Sequence, residues 1–156
     1  LQKTFIIEFL RPLTSTKIKE LVKSPKIYFL DLGFRNYLVK NFNDISIRND
    51  KGYLYENFVL SEILKAGLKP QFYNYKNNSE VDFVINQNGK TIGFEIKSNL
   101  ANTNIKKSIS GFISKIKPDK IYILNENVYD EITIDKTKIV FTHIINIINI
   151  LEKEFN

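Results

Sequence analysis

Charge stands at a spacing of two in two neighbouring, otherwise apolar segments, Glu80-Val81-Asp82-Phe83-Val84-Ile85 and Gly93-Phe94-Glu95-Ile96-Lys97. Side chains alternate along a strand, so Val81, Phe83 and Ile85 are expected on one side, with Glu80 and Asp82 on the other. By the same rule Glu95 and Lys97 share the side opposite Phe94 and Ile96. The intervening NQNG, residues 86–89, carries the Asn88-Gly89 pair of a tight hairpin. That turn pairs the two strands and gathers Asp82, Glu95 and Lys97 on one patch. Two carboxylates close together bind a hard divalent ion, Mg2+ or Mn2+, through oxygen. Such an ion polarises a phosphodiester and acidifies the attacking water, and a lysine beside it orients that water. The chemistry that fits these residues is phosphodiester hydrolysis.

Glu56 extends the pattern. It lies in a helical segment, one turn from Val59 and Leu60 and two turns from Ile63, on the face expected to pack on the sheet. A carboxylate there reaches the ion directly or through water. Glu80 is either an additional metal ligand or a rim charge. The competing reading is an exposed, charged sheet face, because Glu-x-Lys alone is common on exposed strands. An Asp and a Glu-x-Lys joined by a tight hairpin, with an acidic residue on the preceding helix, form a more specific combination.

The elements that must position these residues follow from periodicity and punctuation. Residues 4–10 (TFIIEFL) are β-rich and stop before Pro12, and 17–22 (KIKELV) alternate as a returning strand would. A short strand is expected over 26–30. Asp31 caps a short helix through Val39, with Phe34, Tyr37 and Leu38 on its inner side. A polar loop follows over 42–51. Residues 52–66 form a helix with Leu54, Phe58 and Ile63 in its core stripe, ended by Gly67 and Pro70. Strands are expected over 71–75, 80–85 and 91–97. Next come a helix over 105–116, with Ile105, Ile109, Phe112, Ile113 and Ile116 inward, and a buried strand over 120–124. An edge strand over 138–141 and a last helix over 144–155 complete the chain. Three adjacent strands followed by a crossover helix give an α/β fold, a mixed sheet flanked by helices with an N-terminal β-rich extension.

The 156 residues are enough to bury a core, and 43% hydrophobic with 26% charged residues is a globular composition. Cysteine is absent, which removes disulfides, thiolate zinc sites and cysteine nucleophiles. A reducing, cytoplasmic setting is expected. The net charge of +6 favours a polyanionic partner, nucleic acid before acidic membrane. No apolar run reaches the roughly 18 residues of a membrane span, so no membrane partner is expected. Methionine is also absent, and a chain without an initiator reads as a fragment of a longer protein. Lys106, Lys107, Lys115 and Lys117 fall on the outward part of the second long helix, as phosphate contacts or as a solvated face. Tyr53, Tyr55 and Phe72 read first as core and second as base-stacking residues. His143, beside the last helix, reads as a core or capping residue. The Ile-rich segment 144–151 reads as buried rather than as a membrane-surface helix.

Glu56, Asp82 and Glu95-Ile96-Lys97 resemble the motif of the PD-(D/E)XK nuclease superfamily. KSPKIYFLDLGFRN (23–36), GYLYENFVLSEI (52–63), SEVDFVI (79–85) and FEIKS (94–98) resemble the C-terminal domain of a prokaryotic AAA-type ATPase family. The resemblance covers nearly the whole chain. It departs from many nucleases in having Val81 before the Asp, with no Pro-Asp pair. It implies a restriction-endonuclease-like fold over 51–156, and an extension over 1–50 that links to an ATPase module. No GxxxxGKS/T occurs, so ATP hydrolysis by that route is not expected of this chain. The resemblance also implies a Mg2+- or Mn2+-dependent nuclease acting on DNA. Asp82, Glu95, Glu56 and Glu80 would then be metal ligands, and Lys97 would act on the water. The alternative is a catalytically inactive module of the same fold that binds DNA or a protein partner for the ATPase. A homodimer is left open.

Overall fold

The computed structural model describes residues 6–14, 24–75, 79–103 and 107–155. The returning strand expected over 17–22 lies outside them. Among the described residues the chain opens with β1 (Ile7–Leu10) and β2 (Lys26–Phe29), an antiparallel pair in which Leu10 stands opposite Lys26. Past β1 the chain runs beside the next sheet: Phe72 N donates to Arg11 O (3.0 Å) and Leu13 N to Phe72 O (2.6 Å). Asp31 caps α1 (Leu32–Leu38), its carboxylate accepting from Phe34 N at 2.5 Å. A 3-10 turn, Ile45–Ile47, interrupts the loop that leads to α2 (Lys51–Lys65).

The α1 helix is turned the opposite way from its apolar pattern. Arg35 is its buried residue, while Phe34, Tyr37 and Leu38 are exposed. The reason is ionic. Asp50, just before α2, receives Arg35 Nη1 at 2.9 Å and Arg48 Nη2 at 2.8 Å, and Arg48 also donates to Asn41 O and Asn36 Oδ1. A seven-residue helix buries little apolar area, and two buried guanidiniums sharing one carboxylate decide its orientation.

Then come β3 (Gln71–Tyr75), β4 (Ser79–Gln87) and β5 (Lys90–Ile96), an antiparallel meander. Gln87 pairs with Lys90, which leaves Asn88-Gly89 as a two-residue loop with φ of 53° and 77°. Both residues in the left-handed region make the hairpin turn that the NQNG segment predicts. The chain crosses through α3 (Lys107–Ile116) to β6 (Lys120–Asn125), parallel to β5. It ends with β7 (Asp130–Ile134), β8 (Thr137–His143), a 3-10 turn and α4 (Ile147–Phe155). The sheet order is β3-β4-β5-β6-β8-β7. The segment expected at the edge, 138–141, is therefore interior. The edge strand on that side is β7, which alternates exposed Asp130, Glu131 and Thr133 with half-buried Ile132 and Ile134.

Helices α2 and α4 pack on one face through Val59, Leu60, Ile63, Ile147, Ile150 and Leu151, against Phe83, Ile85, Ile92, Phe94, Ile96 and Leu124. Helix α3 packs on the other through Ile109, Phe112 and Ile113, against Val81, Val84, Ile121, Ile123, Ile139 and Phe141. Of the stripe expected on α2, Ile63 is fully buried and Leu54 and Phe58 half-buried. Gly93 permits the close approach of α3: a Cβ there would stand 3.1 Å from Phe112 Cε1. His143 caps the final turn, its Nδ1 accepting from Ile145 N at 3.2 Å. No helix among the described residues is long and apolar enough to cross a membrane.

The Asp50 cluster yields a test. Arg48 and Arg35 hold the Asp50 carboxyl far below its ordinary value of 3.8. A carboxyl with a lowered value contributes stability that is present above the ordinary value and lost as the pH falls. Asp50→Asn leaves two buried guanidiniums without their counter-ion and is expected to lower stability by about 3 kcal/mol at neutral pH. The deficit shrinks towards about pH 3. Urea denaturation at the two pH values checks this, and a deficit independent of pH contradicts it.

Candidate functional site

The strict alternation expected along β4 is broken at Asp82. Gln71 of β3 stands opposite Val84, but Tyr73 stands opposite Val81, so two residues of β4, Asp82 and Phe83, oppose the single residue Phe72 of β3. This bulge puts Val81 and Val84 in the α3-side core, while Phe83 and Ile85 enter the α2-side core. On the other flank the β4–β5 register runs from Gln87↔Lys90 to Phe83↔Phe94. Beyond it Ile96 N donates to Asp82 Oδ2 at 2.9 Å, so a carboxylate takes over from a backbone carbonyl. Asp82 is thereby fixed where the two strands part, with Oδ1 left over.

Glu95 alternates with Phe94 and Ile96, and Lys97 follows the strand with its backbone N–H on Leu124 O. The Lys97 ammonium pairs with Glu95 Oε1. Glu95 Oε2 is buried and accepts no hydrogen bond. Glu56 comes from α2. Its Oε2 accepts from the Tyr28 hydroxyl of β2 at 3.0 Å. The neighbouring Asn57 clamps the same strand, accepting from Phe29 N at 2.7 Å. Lys26, two residues before Tyr28, reaches Glu80 Oε1 at 2.6 Å and stands 3.8 Å from Asp82 Oδ1. Together these residues line a cleft of about 690 Å³ whose mouth is flanked by Ile27 and Tyr53.

Asp82 is 7% exposed and Glu95 4%. Burial, opposed chiefly by the Ile96 N–H and Lys26, raises the Asp82 carboxyl. Burial and the Asp82 charge push Glu95 up to about 8 against the pull of Lys97. Burial and the Asp82 charge likewise push Glu56 up to about 7, opposed by Lys26 and Tyr28. The physical content is shared: carboxylates crowded out of water repel one another and favour any cation that can enter. Hard oxygen donors and one orphaned carboxylate oxygen suit a divalent ion. Among the described residues no three acidic or histidine side chains form a ready-made metal cage. Lysine ammoniums hold the carboxylates instead.

The structure thus brings Glu56, Glu80, Asp82, Glu95 and Lys97 into one cleft, as the sequence suggests. It does not bring Lys115 or Lys117 there. Lys106 lies outside the described residues, Lys107 opens α3, and Lys115 and Lys117 are exposed at the far end of that helix, away from the cleft. Tyr55 and Phe72 are buried, whereas Tyr53 is exposed at the cleft mouth. Sequence reasoning missed Lys26, Tyr28 and Asn57. The alternation Lys26-Ile27-Tyr28 in a short strand was the available signal for the first two.

Over residues 51–145 the sequence matches the profile of a domain of unknown function, DUF4143. The chain belongs to the DUF4143 family. Domains of this family are found C-terminal to AAA ATPase domains in prokaryotes. A second domain of unknown function, DUF8612, matches residues 1–45. Comparison with curated proteins and with solved structures gives no match. The DUF4143 match runs from α2 through β8, and so includes Glu56, Asp82, Glu95 and Lys97. The DUF8612 match covers the hairpin that carries Lys26 and Tyr28.

Burial of Glu95 predicts an effect in the metal-free protein. A carboxyl raised from 4.5 to about 8 stabilises the fold while protonated, and that contribution is lost as the pH rises through about 8. In EDTA the wild type should lose stability between about pH 5 and about pH 9, and Glu95→Gln should lose less. Urea denaturation at both ends of the window reads this, and equal losses in the two proteins contradict it.

Proposed function

We propose that the chain is a metal-dependent nuclease module, a DNA phosphodiester hydrolase of the PD-(D/E)XK, restriction-endonuclease-like kind, working with an AAA ATPase. One observation carries the reading. Asp82 and Glu95 from adjacent strands, Glu56 from the preceding helix and Lys97 line a single cleft in which a buried Glu95 oxygen has no partner. A phosphate-binding surface has no use for clustered negative charge unless a cation intervenes.

Asp82 and Glu95 would hold Mg2+ or Mn2+, with Glu56 and Glu80 completing the oxygen set directly or through water. The ion supplies charge for the phosphate and acidity for the attacking water when bound. The chain's own residues do the rest. The Ile96 N–H fixes the Asp82 carboxylate, so Oδ1 is the oxygen free to face the ion. Lys97 holds its ammonium beside Glu95, where it orients the water and favours its deprotonated form. Tyr28 and Asn57 tie β2 to α2 and keep Glu56 aimed into the cleft. Water adds to phosphorus, one P–O ester bond breaks, and the leaving oxygen takes a proton.

The second reading, a non-catalytic module that binds DNA or a protein partner for the ATPase, is favoured by the absence of a three-ligand cage among the described residues. One assay separates the two. The chain is incubated with branched, single-stranded and duplex DNA, with Mg2+, with Mn2+ and with EDTA. The nuclease reading expects metal-dependent cutting of at least one substrate, reduced about 100-fold or more by Lys97→Ala with DNA affinity little changed. The binding reading expects salt-sensitive association without cutting. If the chain joined to its ATPase module binds DNA yet does not cut it, the nuclease reading is wrong.

A further inference from the structure

Lys26 has no place in the chemistry above, yet its ammonium is set among the carboxylates. It lies 2.6 Å from Glu80 Oε1 and 3.8 Å from Asp82 Oδ1, with the face of the Phe72 ring 5.4 Å away. It is 29% exposed and comes from β2, not from the sheet that carries the site. The oxygens of Asp82 are not equivalent. Oδ2 is committed to Ile96 N–H, and Oδ1 faces Lys26. Oδ1, the Asp82 oxygen that accepts no such hydrogen bond and is most open to a cation, is the one that Lys26 faces. Glu95 offers an independent pointer to such a cation, because its buried Oε2 lacks any partner.

We infer that Lys26 is the resident counter-ion of the cleft, and that a divalent cation binds there only by displacing the Lys26 ammonium from Asp82 and Glu80. This deepens the proposed function and rests on its divalent-ion reading. The Lys26 ammonium and a divalent ion compete for the oxygens of Asp82 and Glu80. The ion prevails because it carries twice the charge and takes carboxylates directly into its coordination shell. Lys26 thereby sets a threshold, since only a cation that outcompetes a lysine held at the site gains entry. Strand β2 thus becomes part of the cation site.

The test titrates Mn2+ alone into the metal-free chain at physiological salt and reads bound ion by the loss of the free-ion electron paramagnetic resonance signal. Lys26→Met keeps the stem over Phe72 and removes the charge, and Lys26→Gln provides a second variant should the first fold poorly. Either is expected to bind Mn2+ about tenfold more tightly than the wild type. Lys51→Met, whose ion-pair partner Glu126 lies outside the cleft, is expected to leave the affinity unchanged. Equal or weaker binding by folded Lys26 variants overturns the inference and leaves the divalent-ion reading standing. A gain of the same size in Lys51→Met also overturns it, because the effect is then one of net charge. No Mn2+ binding by folded wild type or variants overturns the divalent-ion reading and this inference with it.

Discussion

A carboxylate taken out of water needs a partner for its charge, and this protein buries two on adjacent strands and half-buries a third against them. The architecture around Asp82, Glu95 and Glu56 answers that demand. A bulge in β4 and the parting of β4 from β5 free the Ile96 N–H to donate to the Asp82 carboxylate. Lys97 answers Glu95, and Tyr28 answers Glu56. One oxygen of Glu95 remains without a partner. A fold selected for stability alone does better with apolar residues at such positions. The retained charge is the physical basis for reading the cleft as a site for a cation and its chemistry.

The cleft is also a junction. Its sheet and helix residues fall within the DUF4143 match, while Lys26 and Tyr28 fall within the separate match to residues 1–45. Hydrogen bonds from Tyr28 to Glu56 and from Phe29 N to Asn57 cross between the two. The Asp50 cluster anchors the same region from behind, fixing α1 and the loop that leads into α2. The N-terminal segment thus supplies part of the cleft's wall and one of its two lysines.

Much of this was legible in the sequence because it follows from local rules. Asn88-Gly89 fixes the β4–β5 hairpin, and the spacing of Asp82, Glu95 and Lys97 then places them together. Val59, Leu60 and Ile63 orient α2 so that Glu56 meets the sheet. What escaped depends on tertiary context. No local signal marks the bulge that separates Val81 from Phe83. The burial of Arg35 in place of Phe34 and Tyr37 depends on Asp50 and Arg48, fifteen and thirteen residues away in sequence. Strand β7 is short and only half-buried through Ile132 and Ile134, and its pairing with β8 comes from the turn that joins them. Lys26 reaches the cleft from β2, whose placement against the sheet no periodicity could predict.

The central claim is that Asp82 and Glu95 share one divalent ion. The most direct measurement is anomalous diffraction at the manganese edge from a crystal of the chain equilibrated with Mn2+. The account predicts one strong peak within coordination distance of Asp82 Oδ1 and a Glu95 oxygen. A cleft without such a peak, with Lys26 still on Glu80 and facing Asp82 at saturating Mn2+, would contradict it.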